Sequence, residues 1–319
     1  MARALFPHAP EPWIDLSTGI NPHSYPHTPI PGNVFARLPE PSSLERLRAA
    51  AAEAYRAPSP AHIVAGPGTQ ILLPIIAGLV GATGTAAILS PTYAEHARAA
   101  TMAGFKVLET DDLGDLATSS LAVIVNPNNP TGRIVSTDDI LALAEIMRAK
   151  GGLLVVDEAF MDVSEAQSVV GAVCEGGLIV LRSFGKFYGM AGLRLGFAIG
   201  HPAVTVKIEE RLGPWAVSGP ALHVACEALA DADWQVAMRI RLSADAARLD
   251  EALSAAGIRV FGGTSLFRSI RDRRAQGLFQ HLGEHGIMTR RFQERPDDLR
   301  VGLPDEKDWS RLEAALGGF

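Results

Sequence analysis

The sequence predicts an α/β fold built on a mostly parallel β-sheet. Short apolar runs alternate with helix-like segments between about residues 60 and 200. These runs are apolar along their whole length, which indicates strands that helices cover on both faces of a parallel sheet. In such sheets, ligands bind beyond the carboxyl ends of the strands, so polar residues that follow those ends are the first candidates for a functional site.

The elements follow from these patterns in chain order. Strands are predicted at 86–89, 106–110, 121–126, 153–159, 178–183 and 195–200. Helices are predicted at about 69–80, 92–104 and 137–151. The last of these carries Thr137 as its N-cap, acidic residues in its first turn and Gly151 as its C-cap.

The pattern changes after about residue 205. A long helical region at 220–256 leads to an apolar stretch at 258–270, an amphipathic helix near 272–285 and two further apolar runs at 286–292 and 299–304. This order predicts a smaller α+β domain. We therefore expect a large domain at 42–210, a small domain at 211–319, and a proline-dense N-terminal segment at 1–41 that wraps over the site and joins the small domain.

Composition excludes several classes of protein. The chain has 319 residues, 47% hydrophobic and 20% charged, with a net charge of −6, which argues against nucleic-acid binding. The uncharged stretch 63–94 is interrupted by glycine and proline, so no membrane span is expected. Cys174 and Cys226 lack metal-ligand spacing and favour a reducing cytoplasm. His281 and His285 lie four residues apart, but no third metal ligand is evident, and we expect no metal site.

Polar residues follow the carboxyl ends of the predicted strands. The segment "GPGTQ" (66–70) precedes a helix, where backbone N–H groups suit a phosphate. Asp157 ends an apolar strand, and a buried carboxylate needs a cation or strong hydrogen-bond donors. Asn129 lies in "NPNNPTG" (126–132), just past another strand. A plain turn, a helix cap or a structural ion pair explains each of these alone.

One lysine, Lys186, lies in "SFGKFYGMAGLRLG" (183–196), which also supplies Ser183 and Arg194. Arg300 begins a strand-like run of the small domain and could bind a carboxylate bidentately. Pyridoxal 5′-phosphate (PLP) requires such a set: a lysine for a Schiff base, an acid for the pyridine nitrogen and donors for the phosphate. Taken together, these residues predict PLP as the cofactor.

On these residues the chain resembles the fold-type-I PLP enzymes of the aspartate aminotransferase superfamily. The order and spacing of "NPNNPTG", "DEAF" and "SFGKFYGMAGLRLG" carry the resemblance, which covers nearly the whole chain. Two further stretches, 12–26 and 262–268, resemble the threonine-phosphate decarboxylases of cobalamin biosynthesis more than histidinol-phosphate aminotransferases. The resemblance implies a seven-stranded, mostly parallel sheet and a homodimer with shared active sites. It also implies PLP-dependent decarboxylation of L-threonine O-3-phosphate to (R)-1-aminopropan-2-yl phosphate.

The resemblance implies roles for individual residues. Lys186 would form the Schiff base and later move protons, Asp157 would pair with the pyridine nitrogen, and Asn129 would hydrogen-bond the ring O3′. Tyr93 would stack on the ring face. The cofactor phosphate would be bound by residues of both subunits: Gly68, Thr69, Gln70, Ser183, Arg194 and, from the partner subunit, Tyr55.

Three residues are assigned to the substrate on the same grounds. Arg300 would bind its carboxylate, Arg290 would bind its phosphate, and Asn21 lies in the segment that closes over it. The chain departs from the aminotransferase pattern at Phe160, where a tyrosine that donates to O3′ is usual. The principal rival function is that of an aminotransferase that acts on histidinol phosphate or a related amino acid. Two rivals come from other classes. A PLP-binding regulator resembles this fold fused to an N-terminal helix-turn-helix, which we do not expect here, and a nucleotide-binding α/β protein is disfavoured because the glycine patterns do not match its motifs.

Overall fold

The computed structural model describes residues 2–81 and 84–319. The chain divides into two compact units. The large unit comprises Tyr25–Asn129 and Ile134–Ala232, and the small unit comprises Met1–Ser24, Pro130–Arg133 and Asp233–Phe319. Each unit is described by itself.

The strands, numbered in chain order over the described residues, are β1 (Ile14–Asp15), β2 (Ile63–Gly66), β3 (Thr85–Leu89), β4 (Lys106–Thr110), β5 (Leu121–Val125), β6 (Leu153–Asp157), β7 (Leu178–Ser183), β8 (Gly196–Gly200), β9 (Val260–Thr264), β10 (Phe267–Arg271), β11 (Ile287–Met288), β12 (Arg290–Phe292) and β13 (Arg295–Gly302). The helices are α1 (Ala2–Leu5), α2 (Gly32–Ala36), α3 (Pro41–Ala54), α4 (Thr69–Ala77), α5 (Glu95–Met102), α6 (Leu113–Thr118), α7 (Thr137–Ala149), α8 (Phe184–Phe187), α9 (Pro202–Leu212), α10 (Gly219–Ala230), α11 (Ala232–Ala255), α12 (Ala275–Glu284) and α13 (Trp309–Gly317).

The large unit is built on a seven-stranded sheet in the order β2-β8-β7-β6-β5-β3-β4. Strand β8 runs antiparallel to β2 and β7, and the other neighbouring strands run parallel. Every residue of β5 and β6 is buried, as expected for strands covered on both faces. The predicted α/β class with a mostly parallel sheet is therefore confirmed. Strand β2 was not predicted, because its four residues run directly into the glycine turn that follows them.

Helix α7 shows how local sequence sets the bounds of an element. The predicted N-cap, Thr137, is wrong by one residue: Ser136 has extended backbone, and its side chain accepts a hydrogen bond from the N–H of Asp139. At the other end Lys150 is the C-cap, and Gly151 follows it with a φ of 71°. A left-handed residue just past the cap is the position at which glycine is favoured.

The small unit contains an antiparallel sheet in the order β12-β13-β10-β9 and a short parallel pair, β1 with β11. It is an α+β unit, as predicted. Its boundary differs from the predicted one, because the large unit extends to Ala232 rather than ending at residue 210. The reason is that α10, which lies between residue 210 and Ala232, packs on α3 of the large unit. The N-terminal segment also divides, with Met1–Ser24 in the small unit and the residues from Tyr25 onward in the large one.

Candidate active site

The carboxyl edge of the large sheet brings together most of the residues predicted to bind the cofactor. Gly196, the first residue of β8, pairs with Ser183 at the end of β7 and with Gly66 at the end of β2. Asp157 ends β6, which lies between β5 and β7. Because parallel strands end at the same edge of a sheet, the predicted phosphate, ring and lysine residues meet at one edge.

A phosphate-sized cradle lies at the start of α4. Gly68 is the N-cap of this helix and has a φ of 92°. A Cβ atom at Gly68 would lie 2.9 Å from Nη2 of Arg194, so the guanidinium lies directly against this glycine. Thr69, the first helical residue, packs against Gly196 in the same way. Backbone N–H groups at a helix start and an arginine beside them form an anion site.

Gln70 belongs to the same turn, but its side chain points to a different partner. Its Nε2 donates to Oε2 of Glu95 at 3.0 Å, and the residue is exposed. The backbone of Gln70 therefore remains the group that the predicted phosphate contact would use.

Lys186 lies in α8, the short helix that directly follows β7. The lysine is half-buried, and its Nζ lies 5.9 Å from the centroid of the Phe160 ring. Gly185 permits a close approach of the chain, because a Cβ atom there would lie 2.7 Å from the Cα of Ala191. The lysine is therefore held beside an aromatic ring that carries no hydroxyl.

Asp157 has a partner that the sequence analysis did not identify. Nε2 of His96 lies 2.9 Å from Oδ2 of Asp157, and both residues are buried. The backbone N–H of Ala159 donates to the other carboxylate oxygen at 3.0 Å. His96 lies in the first turn of α5, and the sequence gives no signal of the strand end that it faces. The two residues are neighbours, with Tyr93 edge-on to the His96 ring at 6.0 Å between centroids.

The three asparagines of "NPNNPTG" have different surroundings: two are buried and hold the turn together, and the third is half-buried. Asn126 bonds through its side-chain amide to both the N–H and the carbonyl of Val135. Asn128 accepts from Oγ1 of Thr92 at 2.7 Å and donates to the carbonyl of Pro91. Asn129, the predicted ring contact, is half-buried, and the two others are buried. The run of amides thus reflects the turn as well as the site.

Tyr55 lies in the interior of the large unit. The residue is only 4% exposed, and its ring packs against Phe197 and under the guanidinium of Arg182 within its own large unit. Its hydroxyl is buried and has no hydrogen-bond partner among the described residues. These contacts lie within one chain, and the assignment of Tyr55 to the partner's phosphate site stays a prediction.

The small unit holds the arginines predicted to bind the substrate. Arg300 on β13 pairs directly with Arg290 on β12, so the two side chains project from the same face of this antiparallel pair. Nη2 of Arg300 donates to the carbonyl of Ser17 at 2.6 Å, and its guanidinium lies 5.3 Å from the centroid of Phe267. Arg290 is exposed. Two positive charges on neighbouring strands repel each other unless an anion lies between or beside them.

The N-terminal segment of the small unit is anchored around Asn21. This residue is buried, and its Oδ1 accepts from the N–H of His23 at 2.8 Å. His23 in turn lies 2.8 Å from Oδ2 of Asp245 on α11. Asn21 therefore shapes the segment that the sequence analysis assigned to substrate closure.

His281 on α12 and His285, the residue that caps its C-terminal end, both bond to the backbone. Nε2 of His281 lies 2.7 Å from the carbonyl of Ala315, and Nδ1 of His285 lies 2.8 Å from the carbonyl of His281. In residues 2–81 and 84–319, no group of three or more His, Cys, Asp or Glu side chains is arranged to bind a metal. Over the same residues, no helix combines the length and apolar character needed to cross a bilayer.

Comparison with known proteins gives the class of this protein. A family model described as aminotransferase class I and II matches residues 12–316. The chain therefore belongs to the aminotransferase class I and II family, and the resemblance seen in its motifs is confirmed.

Individual relatives indicate which members of this family the chain is similar to in sequence. A threonine-phosphate decarboxylase of a Sinorhizobium species is 44% identical, over 99% of this chain and 95% of that protein. The threonine-phosphate decarboxylase of Pseudomonas aeruginosa is 43% identical, over 96% of this chain and 92% of that protein. Among solved structures, histidinol-phosphate aminotransferase from Sinorhizobium meliloti in complex with pyridoxal-5′-phosphate superposes with a TM-score of 0.86 at 20% identity, covering 100% of this chain and 94% of that one.

Proposed function

We propose that this chain is a PLP-dependent lyase of the cytoplasm that decarboxylates L-threonine O-3-phosphate in cobalamin biosynthesis. The products are (R)-1-aminopropan-2-yl phosphate and carbon dioxide. The observation that carries the proposal is the identity of 43–44% to two threonine-phosphate decarboxylases along nearly the whole chain. The geometry of the two units supports it.

The carboxyl edge of the large sheet fits PLP. The start of α4 and the guanidinium of Arg194 would hold the phosphate, because the N–H groups and the positive charge lie side by side at Gly68. Asp157 would hold a proton on the ring nitrogen, since it is a buried carboxylate that accepts from His96. Tyr93 would cover one face of the ring, and Asn129 would bond its O3′. When bound, the cofactor supplies an electron sink for the electron pair released at the substrate Cα.

Lys186 would carry both the covalent attachment and the proton transfer. Its Nζ is held beside the Phe160 ring at the end of β7. The Nζ of Lys186 would then be the group that returns a proton to the substrate Cα. Phe160 has no hydroxyl that could donate to O3′ of the cofactor ring. Aminotransferases that carry a tyrosine at this position have that donor.

The paired arginines fit a substrate with two anionic groups. Arg300 would take the carboxylate and Arg290 the phosphate, because the two lie directly opposite each other on β13 and β12. L-threonine O-3-phosphate carries both groups. Since the dicarboxylic partner of an aminotransferase also carries two anionic groups, product analysis is what separates the two reactions.

The first experiment tests the cofactor and the lysine. PLP is added to the purified protein, and the near-visible absorbance band of the lysine-linked cofactor is recorded. We expect the wild type to form the band and Lys186→Ala to lose it. Lys106→Ala is the matched control, because Lys106 is exposed on the edge strand β4. A band that persists in Lys186→Ala, or never forms in the wild type, contradicts the proposal.

We propose further that the protein is a homodimer with shared active sites. The support is exposed apolar surface on the large unit: Phe35 and Leu38 are each 66% exposed, and Trp215, which is 59% exposed, helps Leu44 to line a cavity of about 560 Å³. Exposed apolar surface of this kind is typical of protein interfaces.

Light scattering tests the dimer. We expect a mass twice that of the 33.8 kDa chain, and a shift toward the monomer for Trp215→Glu. Ile146→Glu is the control, since Ile146 is an exposed apolar residue on α7. A monomeric wild type with full activity contradicts this part of the proposal.

A further inference from the structure

A buried ion-pair network lies behind the ends of β6 and β7. Glu158 follows β6, and Arg182 is the last residue but one of β7. Both are buried, with 0% and 5% of their surface exposed. Neither contributes to the cofactor and substrate contacts described above, so their burial requires a separate explanation.

The network ties Glu158 and Asp162 to Arg182, and a third part of the chain to Glu158. Its Nη1 lies 3.1 Å from Oε2 of Glu158, and its Nη2 bonds to Oδ1 of Asp162 in the turn beyond β6. Glu158 also accepts from Oγ of Ser168 at 2.6 Å and from the N–H of Val169 at 2.9 Å. Arg182 therefore joins the end of one strand to the loop that leaves its neighbour.

The pKa values of Arg182 and Glu158 both differ from their usual values, for different reasons. Burial alone would lower the pKa of Arg182, but Asp162 and Glu158 together raise it, so the guanidinium stays charged. Burial raises the pKa of Glu158 above its usual range, against the opposing effect of Arg182. A buried ion pair of this kind is weak evidence for stability, because desolvation offsets most of the attraction.

Strand geometry connects the network to the site. Successive residues of a strand project to opposite faces, so Glu158 and Arg182 lie behind the sheet at the points where Asp157 and Ser183 project to the other face. The ladder continues through this point, since the N–H of Glu158 donates to the carbonyl of Leu181 at 2.9 Å. Lys186 follows three residues after Ser183.

We infer that Arg182 and Glu158 are positioning residues, whose buried ion pair fixes the ends of β6 and β7 and thereby the placement of Asp157 and Lys186. The inference rests on the proposed function, because the placement matters only if these two groups act on a bound cofactor. Tyr55 also contacts the network, because the centroid of its ring lies 4.4 Å from the guanidinium carbon of Arg182.

The test separates positioning from stability with two variants. Arg182→Met leaves two buried acids without their cation, whereas the triple variant Glu158→Gln/Asp162→Asn/Arg182→Met removes every charge from the network. We expect Arg182→Met to unfold at lower urea concentration and the triple variant to recover most of that loss. Both should bind PLP about tenfold more weakly. Both should also shift the pH midpoint of the near-visible band by about half a unit.

The control is the exposed pair Arg148 and Glu175, whose side chains lie 2.6 Å apart at the surface of the same unit. Arg148→Met should leave the urea midpoint, PLP affinity and pH midpoint unchanged. A triple variant that matches the wild type in PLP affinity and in pH midpoint overturns the inference and assigns the network to stability alone. A wild type that forms no band refutes the proposed function itself, and the inference falls with it.

Discussion

His96 offers the sharpest test of how the candidate site is held. The substitution His96→Phe keeps an aromatic ring next to Tyr93 but removes the nitrogen that lies 2.9 Å from Oδ2 of Asp157. The remaining hydrogen bond to this carboxylate comes from the N–H of Ala159 at 3.0 Å. Asp157 is only 5% exposed, so water cannot replace the lost donor without opening the site.

The expected loss follows from that geometry. A hydrogen bond to a charged group contributes about 1.5–3 kcal/mol, and a buried group left without its partner loses the full amount. We therefore expect the free energy of unfolding of the cofactor-free protein to fall by about 1.5–3 kcal/mol. Because the effect passes through Asp157, a double-mutant cycle with Asp157→Asn should show a coupling of about 1 kcal/mol or more.

Urea unfolding of the cofactor-free protein measures both quantities. His285→Phe is the control, because His285 is exposed and its ring Nδ1 lies 2.8 Å from the backbone carbonyl of His281 rather than from a buried carboxylate. It should stay within about 0.5 kcal/mol of the wild type. If His96→Phe also stays within that range, or if the cycle shows no coupling, the reasoning that His96 supports a buried charged Asp157 is refuted.

Three further predictions follow from single contacts. Phe160→Tyr places a hydroxyl donor near Lys186 and should lower the pH midpoint of the near-visible band; an unchanged or raised midpoint contradicts this. Gly262→Ala should cost about 1–3 kcal/mol in urea unfolding, because the new Cβ would overlap the carbonyl oxygen of Thr131, whereas Gly171→Ala, with open space around it, should cost little. Burial, together with the Asp231 carboxylate 3.0 Å away, raises the pKa of Tyr25 to about 12. The neutral hydroxyl therefore contributes its full stabilisation of the fold below about pH 10, and this contribution is lost as the pH rises through 12. Tyr25→Phe should therefore flatten the alkaline fall in stability, and a fall as steep as that of the wild type would count against this account.

Much of the fold could be predicted because apolar periodicity is a local signal. Strands β4 and β7 have the predicted bounds, and β3 differs by one residue. Strand β2 was missed because four residues beside a glycine turn give too short a pattern. The boundary between the units was displaced because the packing of α10 on α3 joins residues that are far apart in sequence.

The candidate site was predictable where a residue follows a strand. Asp157, Ser183 and Lys186 could be placed at one edge of the sheet by that rule alone. His96 could not, since a histidine on a helix gives no indication of what it faces across the fold. The assignment of Tyr55 to the partner's phosphate site rests on the resemblance alone, and the packing of its ring under Arg182 gives only the contacts that it makes within its own unit.

Carbon dioxide release from carboxyl-labelled L-threonine O-3-phosphate tests the central claim most directly. The PLP-loaded protein is incubated with this substrate alone, and then with added 2-oxoglutarate. We predict labelled carbon dioxide and an equal amount of (R)-1-aminopropan-2-yl phosphate in both reactions, with no 2-oxo acid formed from the substrate. Product that forms only when 2-oxoglutarate is present, with the label retained, would contradict the account and identify an aminotransferase.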